Sequence, residues 1–326
     1  MHNSFFIVYP LNKVVSSTGV TRISPRLPSR NRKEEFYSFA KETFDNIEWV
    51  TYDRKTPENF NKWLLQILKT SDQAAHIVID ISAMSKMLIV VLLYGLRKTG
   101  LPVSIVYAPA KVYHPLKEKF EEEKTKSKFT ESLPYFLTTD VNTVVTTSEL
   151  SSIAMQGAPI ALIAFPNFNH REISALLNET SAQKVFFIEG NRKSDQNGWR
   201  LDAIKWINHS FESYTSVDCK EVNAADINGN IKILYGIYQE NYLTHNIALS
   251  PTGGKLQAVA TFCLKVMHPD IHIVYPVVRQ FAEDYTEWYF PHIEIPIKNF
   301  LSFTKSLDRH RLKALSELDQ ILKNNG

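Results

Sequence analysis

Six residues, Ser250-Pro251-Thr252-Gly253-Gly254-Lys255, stand between a short apolar run and an apolar stretch of helical spacing. Two hydroxyls, two glycines and a lysine in this order are the parts of an anion site. Gly253 and Gly254 admit positive φ and let a ligand approach backbone amides with no Cβ in the way. A helix starting near Lys255 aims unpaired N–H groups and the positive end of its dipole at the same point. Ser250 and Thr252 add hydroxyls, and Lys255 adds a full charge. A phosphate suits that set; the plainer alternative is a Gly-Gly turn with a solvent-facing lysine. A Walker A loop is excluded, because Leu249 occupies the place of its first glycine and Leu256 follows the lysine. The spacing GxGxxG is absent as well.

Something must position these residues. The run "HNIALS" before them reads as a buried strand, and "KLQAVATFCLKVM" after them as a helix. Upstream the same alternation repeats: "PIALIAF", "KVFFIEG" and "SVDCKEV" as strands, with "NHREISALLNET", "RLDAIKWINHSF" and "GNIKILYGIYQENY" as helices between them. The strand "IHIVY" follows. The first half has its own set, with strands "FFIVY", "IEWVTY", "HIVIDI" and "VSIVYA", and helices "KEEFYSFAKETF", "PENFNKWLLQILKT" and "KMLIVVLLYGLRK", the last closed by Gly100. A polar, basic, proline-broken stretch from Asn12 to Lys33 reads as a long loop. Apolar strands alternating with helices predict an α/β fold of two tandem Rossmann-like units, each a mainly parallel sheet flanked by helices, plus a C-terminal helix. The expected boundaries are 1–125 for the first unit, 126–157 for a linker, 158–300 for the second unit and 301–326 for the terminal helix.

The halves align. His76 matches His245 and Lys86 matches Lys255, each pair 169 residues apart, and with one deletion Ile105–Tyr107 meets Ile273–Tyr275. The first-half counterpart of the glycine turn is "DISAMSK". It lacks the glycine pair but offers Asp80, Ser82, Ser85 and Lys86. It reads either as a hydroxyl-lined second half-site or as an ordinary N-cap serine with a surface lysine. Asp80 has no second acid beside it to hold magnesium, so no metal is expected.

Other candidates fall at the same predicted sheet edge. "FPNFNHRE" places Asn167, Asn169, His170 and Arg171 at a helix start, where Arg171 suits phosphate or base edges. "IEGNRKSDQNGWR" offers Glu189, Arg192, Lys193 and Arg200, though in a stretch that also reads as a surface loop. Tyr107 and Tyr275 would stack a base or serve as core tyrosines. His170 and His245 are the histidines placed to assist attack by a ribose 2′-hydroxyl, should the protein cleave a bound RNA without metal.

The strand ending in Ser-Pro-Thr-Gly-Gly-Lys, followed by an apolar helix, resembles the signature turn of the CRISPR-associated Rossmann fold (CARF) domains, commonly Thr-Gly-Gly-Thr-Lys. Here the second threonine is missing and Lys255 follows Gly254 directly. By topology the resemblance covers about Pro159 to Tyr275. It implies ligand contacts for Thr252, Gly253, Gly254 and Lys255, a nucleotide ligand of the cyclic oligonucleotide class, a sensor's role in prokaryotic antiviral defence, and a homodimer with the ligand across its two-fold axis. Fused CARF-like pairs occur in related sensors, which implies a second half-site at Ser82, Ser85 and Lys86. Two alternatives stay open: an enzyme acting on a nucleotide or cyclic RNA, and a structural subunit of a protein complex. With no recognisable output module, a sensor of this kind would work through a partner effector protein.

Composition agrees with a soluble chain. Apolar residues make up 44% and charged residues 22%, enough for an ordinary core in each half. The net charge of +3, from 37 basic and 34 acidic residues, is too balanced for an electrostatic nucleic-acid coat but permits a local basic pocket. Cys219 and Cys263 match no metal spacing and read as reduced core thiols. No stretch is long and apolar enough for a membrane span and no secretory signal is visible, so the cytoplasm is the expected location, with no cofactor.

Overall fold

The structure, a computed structural model, describes residues 4–10, 16–20, 47–50, 52–70, 75–127, 129–152, 157–191, 198–213, 216–281 and 286–309. The helix expected at 33–44, the loop residues Arg192 and Lys193, and the tail beyond 309 lie outside these. The first half contains β1 (Ser4–Pro10), β2 (Ser16–Val20), β3 (Ile47–Val50), α1 (Glu58–Thr70), β4 (Ala75–Asp80), α2 (Lys86–Leu96), β5 (Val103–Tyr107), β6 (Ala110–Tyr113) and α3 (Lys117–Lys126). The second contains β7 (Val141–Val145), β8 (Ile160–Ala164), α4 (His170–Thr180), β9 (Lys184–Asn191), α5 (Gly198–Asn208), β10 (Ser216–Asn223), α6 (Ile227–Asn241), β11 (Asn246–Ser250) and α7 (Lys255–Met267). There follow β12 (His272–Ile273), β13 (Tyr275–Val278), β14 (Thr286–Tyr289) and β15 (Ile293–Ile297), and then helical residues 300–309.

The second sheet has the order β10-β9-β8-β11-β12 and is parallel throughout. Counted along the chain the order is 3-2-1-4-5, so the strand order reverses between β8 and β11, the place where open α/β sheets bind ligands. The central strands β8 and β11 are buried over nearly their whole length, as expected for strands covered on both faces. The first sheet, β15-β5-β4-β1-β2-β3, is α/β in the same sense at its centre, where β4 and β5 run parallel. Its parallel character does not extend outward: β1 is antiparallel to β4, and β15 is antiparallel to β5. Apolar runs such as "HIVIDI" report coverage of both faces but not the direction of a neighbour, and an antiparallel neighbour needs no crossover helix. Ser16–Val20, expected as loop, is the strand that pairs with β1.

Two helices join the halves. α2, "KMLIVVLLYGL", is buried at every position except Lys86 and Gly95. A helix apolar on all sides must be surrounded. α2 packs against α7 and α1, and α7 against α6. One continuous core includes Ile77, Ile79 and Ile105 of the first sheet, Ile163, Ile188 and Leu249 of the second, and the facing residues of α2 and α7. Each fully buried aliphatic side chain is worth about 1.5–3 kcal/mol, so this contact is a permanent part of the fold.

The segment expected as a linker is tied down at several points. β7 pairs antiparallel with β13, while Leu133 and Phe136 join Phe120, Phe168 and Ile207 in a small separate core. α3 itself is the solvated helix its charges predict, with Phe120 its one buried residue. Beyond β15, the buried Phe300 stacks on Phe262 of α7 at 5.8 Å, and the Thr304 hydroxyl donates to the Arg97 carbonyl at 2.8 Å. Cys263 is buried, and burial pushes its thiol up to about 12, whereas Cys219 is exposed on the edge strand β10 and is no core thiol. No helix among the described residues is long and apolar enough to cross a membrane.

Candidate functional site

The turn after β11 lies at the sheet's reversal point, beside the loop after β8. Its residues are occupied differently from the expectation. The Thr252 hydroxyl donates to the Phe165 carbonyl at 2.8 Å and accepts from the Phe165 amide at 3.1 Å, stitching the two loops together. Neither Gly253 nor Gly254 has positive φ; among the described glycines only Gly157 does. Gly253 is required by close approach instead. A Cβ there would sit 2.8 Å from the Phe165 Cβ and 2.9 Å from its Cγ, and would also strike the Gln257 carboxamide. Gly254 is the N-cap of α7, and its amide donates to Gln257 Oε1 at 2.8 Å. Gln257 in turn donates to Asn230 Oδ1 at 3.1 Å, and Asn230 to the carbonyls of Asn223 and Asp226. Phe165 and Gln257 therefore pack closely against this turn, and Gln257 takes the Gly254 amide. Gln257 stands three residues after the cap, where a side chain reaches back to the cap's N–H, and that spacing was visible in the sequence.

Ser250 and Lys255 remain without such a role. Ser250 is fully buried, and its hydroxyl has no hydrogen-bond partner among the described residues. The half-buried Lys255 amine crosses to the other half and donates to the Met84 carbonyl. That carbonyl belongs to the first-half turn. There the Asp80 carboxylate accepts from the Ser82 amide at 2.8 Å, and the Ser82 hydroxyl accepts from the Ala108 amide at 2.8 Å. Ser85 caps α2, accepting from the Leu88 amide at 3.2 Å. The two N-caps, Ser85 and Gly254, are 169 residues apart, the same interval that relates Lys86 to Lys255.

The chain thus brings the two turns face to face where the N-termini of α2 and α7 meet. Burial, then Lys86, pull the Lys255 amine down to about 7, with Asp80 acting the other way. Tyr52 and Tyr275, both buried, lie at the same seam. Burial, with Tyr275 adding, holds the Tyr52 phenol well above its ordinary range. Its hydroxyl is buried beside Ser85. Of the amides at these helix starts, that of Leu88 is taken by Ser85 and that of Gly254 by Gln257.

No protein-family model matches the chain, and no curated protein matches it. Among solved structures it is similar to Can2 from Sulfobacillus thermosulfidooxidans in complex with cyclic tetra-adenylate, at 15% identity and a TM-score of 0.28. The likeness is partial. It spans 39% of this chain and 38% of that one.

The remaining candidates are held elsewhere. Asn169 is the buried N-cap of α4, accepting from the Arg171 amide and donating to Thr138 Oγ1 at 2.7 Å. Arg171 pairs with Asp140 at 3.4 Å and covers the Tyr135 ring at 4.5 Å, so both are tied to the segment before β7 and not to the seam. Asn167 does reach the turn, donating to the Thr252 carbonyl at 3.3 Å. Arg200 donates to the carbonyls of Tyr113, His114 and Pro115, and buried Glu189 pairs with Lys205 at 3.4 Å. Tyr107 meets Tyr113 hydroxyl to hydroxyl at 3.4 Å. His170 is buried at the start of α4. His245 precedes β11 and so lies at the opposite end of that strand from the turn, roughly 16 Å away at the rise of an extended chain. It cannot assist chemistry there. Sequence reading missed Met84, Phe165 and Gln257; only Gln257 left a local signal.

Proposed function

We propose that the seam between the two turns binds a phosphate-bearing nucleotide of the cyclic oligonucleotide class, and that the protein is a sensor in prokaryotic antiviral defence that passes occupancy to an effector protein. One observation carries the reading: Lys86 and Lys255 open the two helices whose N-termini meet, and Lys255 reaches across to the Met84 carbonyl of the first-half turn. Two amines at two helix starts concentrate positive charge that suits an anion. Tyr52, beside Ser85 and Tyr275, contributes a hydroxyl there, and Tyr275 an aromatic face. The two half-sites that the CARF resemblance expects from two protomers are contributed here by one chain, so a complete site needs no second copy. Thr252, Gly253 and Gly254 shape the turn from behind, and Ser82, Ser85, Lys86 and Lys255 face the ligand. Asn169 and Arg171 have no part in it.

Incubation with cyclic tetra-adenylate, followed by calorimetry and chromatography of the recovered ligand, tests this. Saturable binding with the ligand recovered intact is the expected result. Recovery of a shortened linear product would make the protein an enzyme on the ligand, and an absence of binding at low salt would remove the sensor reading.

A further inference from the structure

We propose that the edge strand β10 is the surface through which two copies of this chain associate, antiparallel and about a two-fold axis at Cys219. β10, Ser216–Asn223, closes the second sheet at the edge opposite β12, and among the described residues its outer side meets no strand. Ser216, Cys219, Lys220, Glu221 and Asn223 are exposed along it. An open edge of this length offers a row of backbone donors and acceptors to another strand, and natural sheets guard such edges with charge. Here the charges select a partner. In a symmetric antiparallel pair one residue must face its own copy, because facing residues turn their N–H and C=O groups either both inward or both outward. Two such registers use nearly the whole strand. Pairing 217–223 about Lys220 sets Lys220 against Lys220 on the axis and Asp218 against Val222. Pairing 216–222 about Cys219 sets Asp218 against Lys220 twice, Ser216 against Val222, and Val217 against Glu221. Opposite charges that face each other stabilise a strand pair, and like charges oppose it. Asp218 and Lys220 share one face of the strand and already touch at 3.1 Å, so the register about Cys219 gathers four charges of alternating sign. Glu221 is held within its own chain by Lys205 and needs no charge from the partner. Because β9 and β8 separate β10 from β11, this association extends the sheet and leaves the seam outside the contact. The axis therefore differs from the one the CARF resemblance implies, on which the ligand would lie.

Charge reversal tests the register. Sedimentation velocity over a wide range of concentrations should show the native protein in monomer–dimer equilibrium. Asp218→Lys and Lys220→Asp each bring like charges face to face twice, and each should weaken the dimer by about tenfold or more. The double variant Asp218→Lys, Lys220→Asp restores the opposition and should recover native association. A second measurement traps the pair. Diamide, which takes two electrons and two protons from two thiols, should link the dimer through Cys219, since facing residues stand about 4.5 or 5.5 Å apart at Cα, within the reach of a disulfide. Cys263, buried and with its thiol pushed up to about 12, should stay reduced. Cys219→Ser should abolish the link and leave the dimer as tight as before. A chain that stays monomeric at every concentration, a dimer indifferent to both single reversals, a double variant no tighter than the singles, or a native dimer that diamide does not link would overturn the proposal.

Discussion

Gly253→Ala is expected to destabilise the protein by about 1–3 kcal/mol, the usual cost of forcing a methyl into a packed interior. The new Cβ would lie 2.8 Å from the Phe165 Cβ, at a junction that the Thr252 hydroxyl has already pinned to the Phe165 backbone. Neither side can give way easily, because Phe165 is buried in the common core. Gly254→Ala makes an instructive contrast. A Cβ there meets Gln257 Oε1 at 3.5 Å, an ordinary contact, and the extended φ of −78° is open to any residue. Its cost should be that of a poorer N-cap, about 1 kcal/mol or less. Urea denaturation of the two variants separates these values. Equal costs, or a Gly253→Ala protein of native stability that fails only in binding, would mean that the first glycine exists for ligand approach and not for packing.

Removing the seam's charges should move binding and stability in opposite directions. Lys86→Ala and Lys255→Ala each delete a charge-assisted contact worth about 1.5–3 kcal/mol, so the double variant should bind cyclic tetra-adenylate at least about 100-fold more weakly. Lys255→Met keeps the volume and removes only the amine. In the native protein that amine titrates near 7, and in the unfolded chain at its ordinary value. Between those values the unfolded chain holds a proton that the folded one does not, so stability rises with pH across the window, and the penalty is complete below about pH 7. Lys255→Met is free of that penalty but loses the bond to Met84, worth about 1 kcal/mol. It should therefore be more stable than the native protein at pH 6, by about 1–2 kcal/mol after allowing for partial exposure, and slightly less stable at pH 10. A variant destabilised equally at both values would make Lys255 a structural residue.

What sequence could supply here was local. The apolar run at 246–250, the turn and the helix from Lys255 were legible because strand burial, glycine placement and helical spacing all act within a few residues. The 169-residue interval between Lys86 and Lys255 was legible for the same reason. The pairing of β15 with β5, of β1 with β4 and of β7 with β13 joins segments far apart in the chain, and nothing in "IEIPI" or "VNTVV" names a partner. A pair of glycines looks the same in sequence whether a phosphate or a phenylalanine presses on it, and only the packing of Phe165 against Gly253 separates the two. Lys255 stands out in the sequence as a candidate by its place after the glycine pair, but its reach to Met84, 171 residues away, depends on α2 and α7 packing together. The all-apolar face of α2 announced burial without saying against what.

The most direct measurement follows backbone amide shifts during titration with cyclic tetra-adenylate. Binding at the seam predicts that residues 84–88 and 253–257 respond together, at one ligand per chain, and that both sets fall silent in the Lys86→Ala, Lys255→Ala protein. Shifts confined to one turn, or centred on residues 165–171 with the seam unmoved, would contradict it.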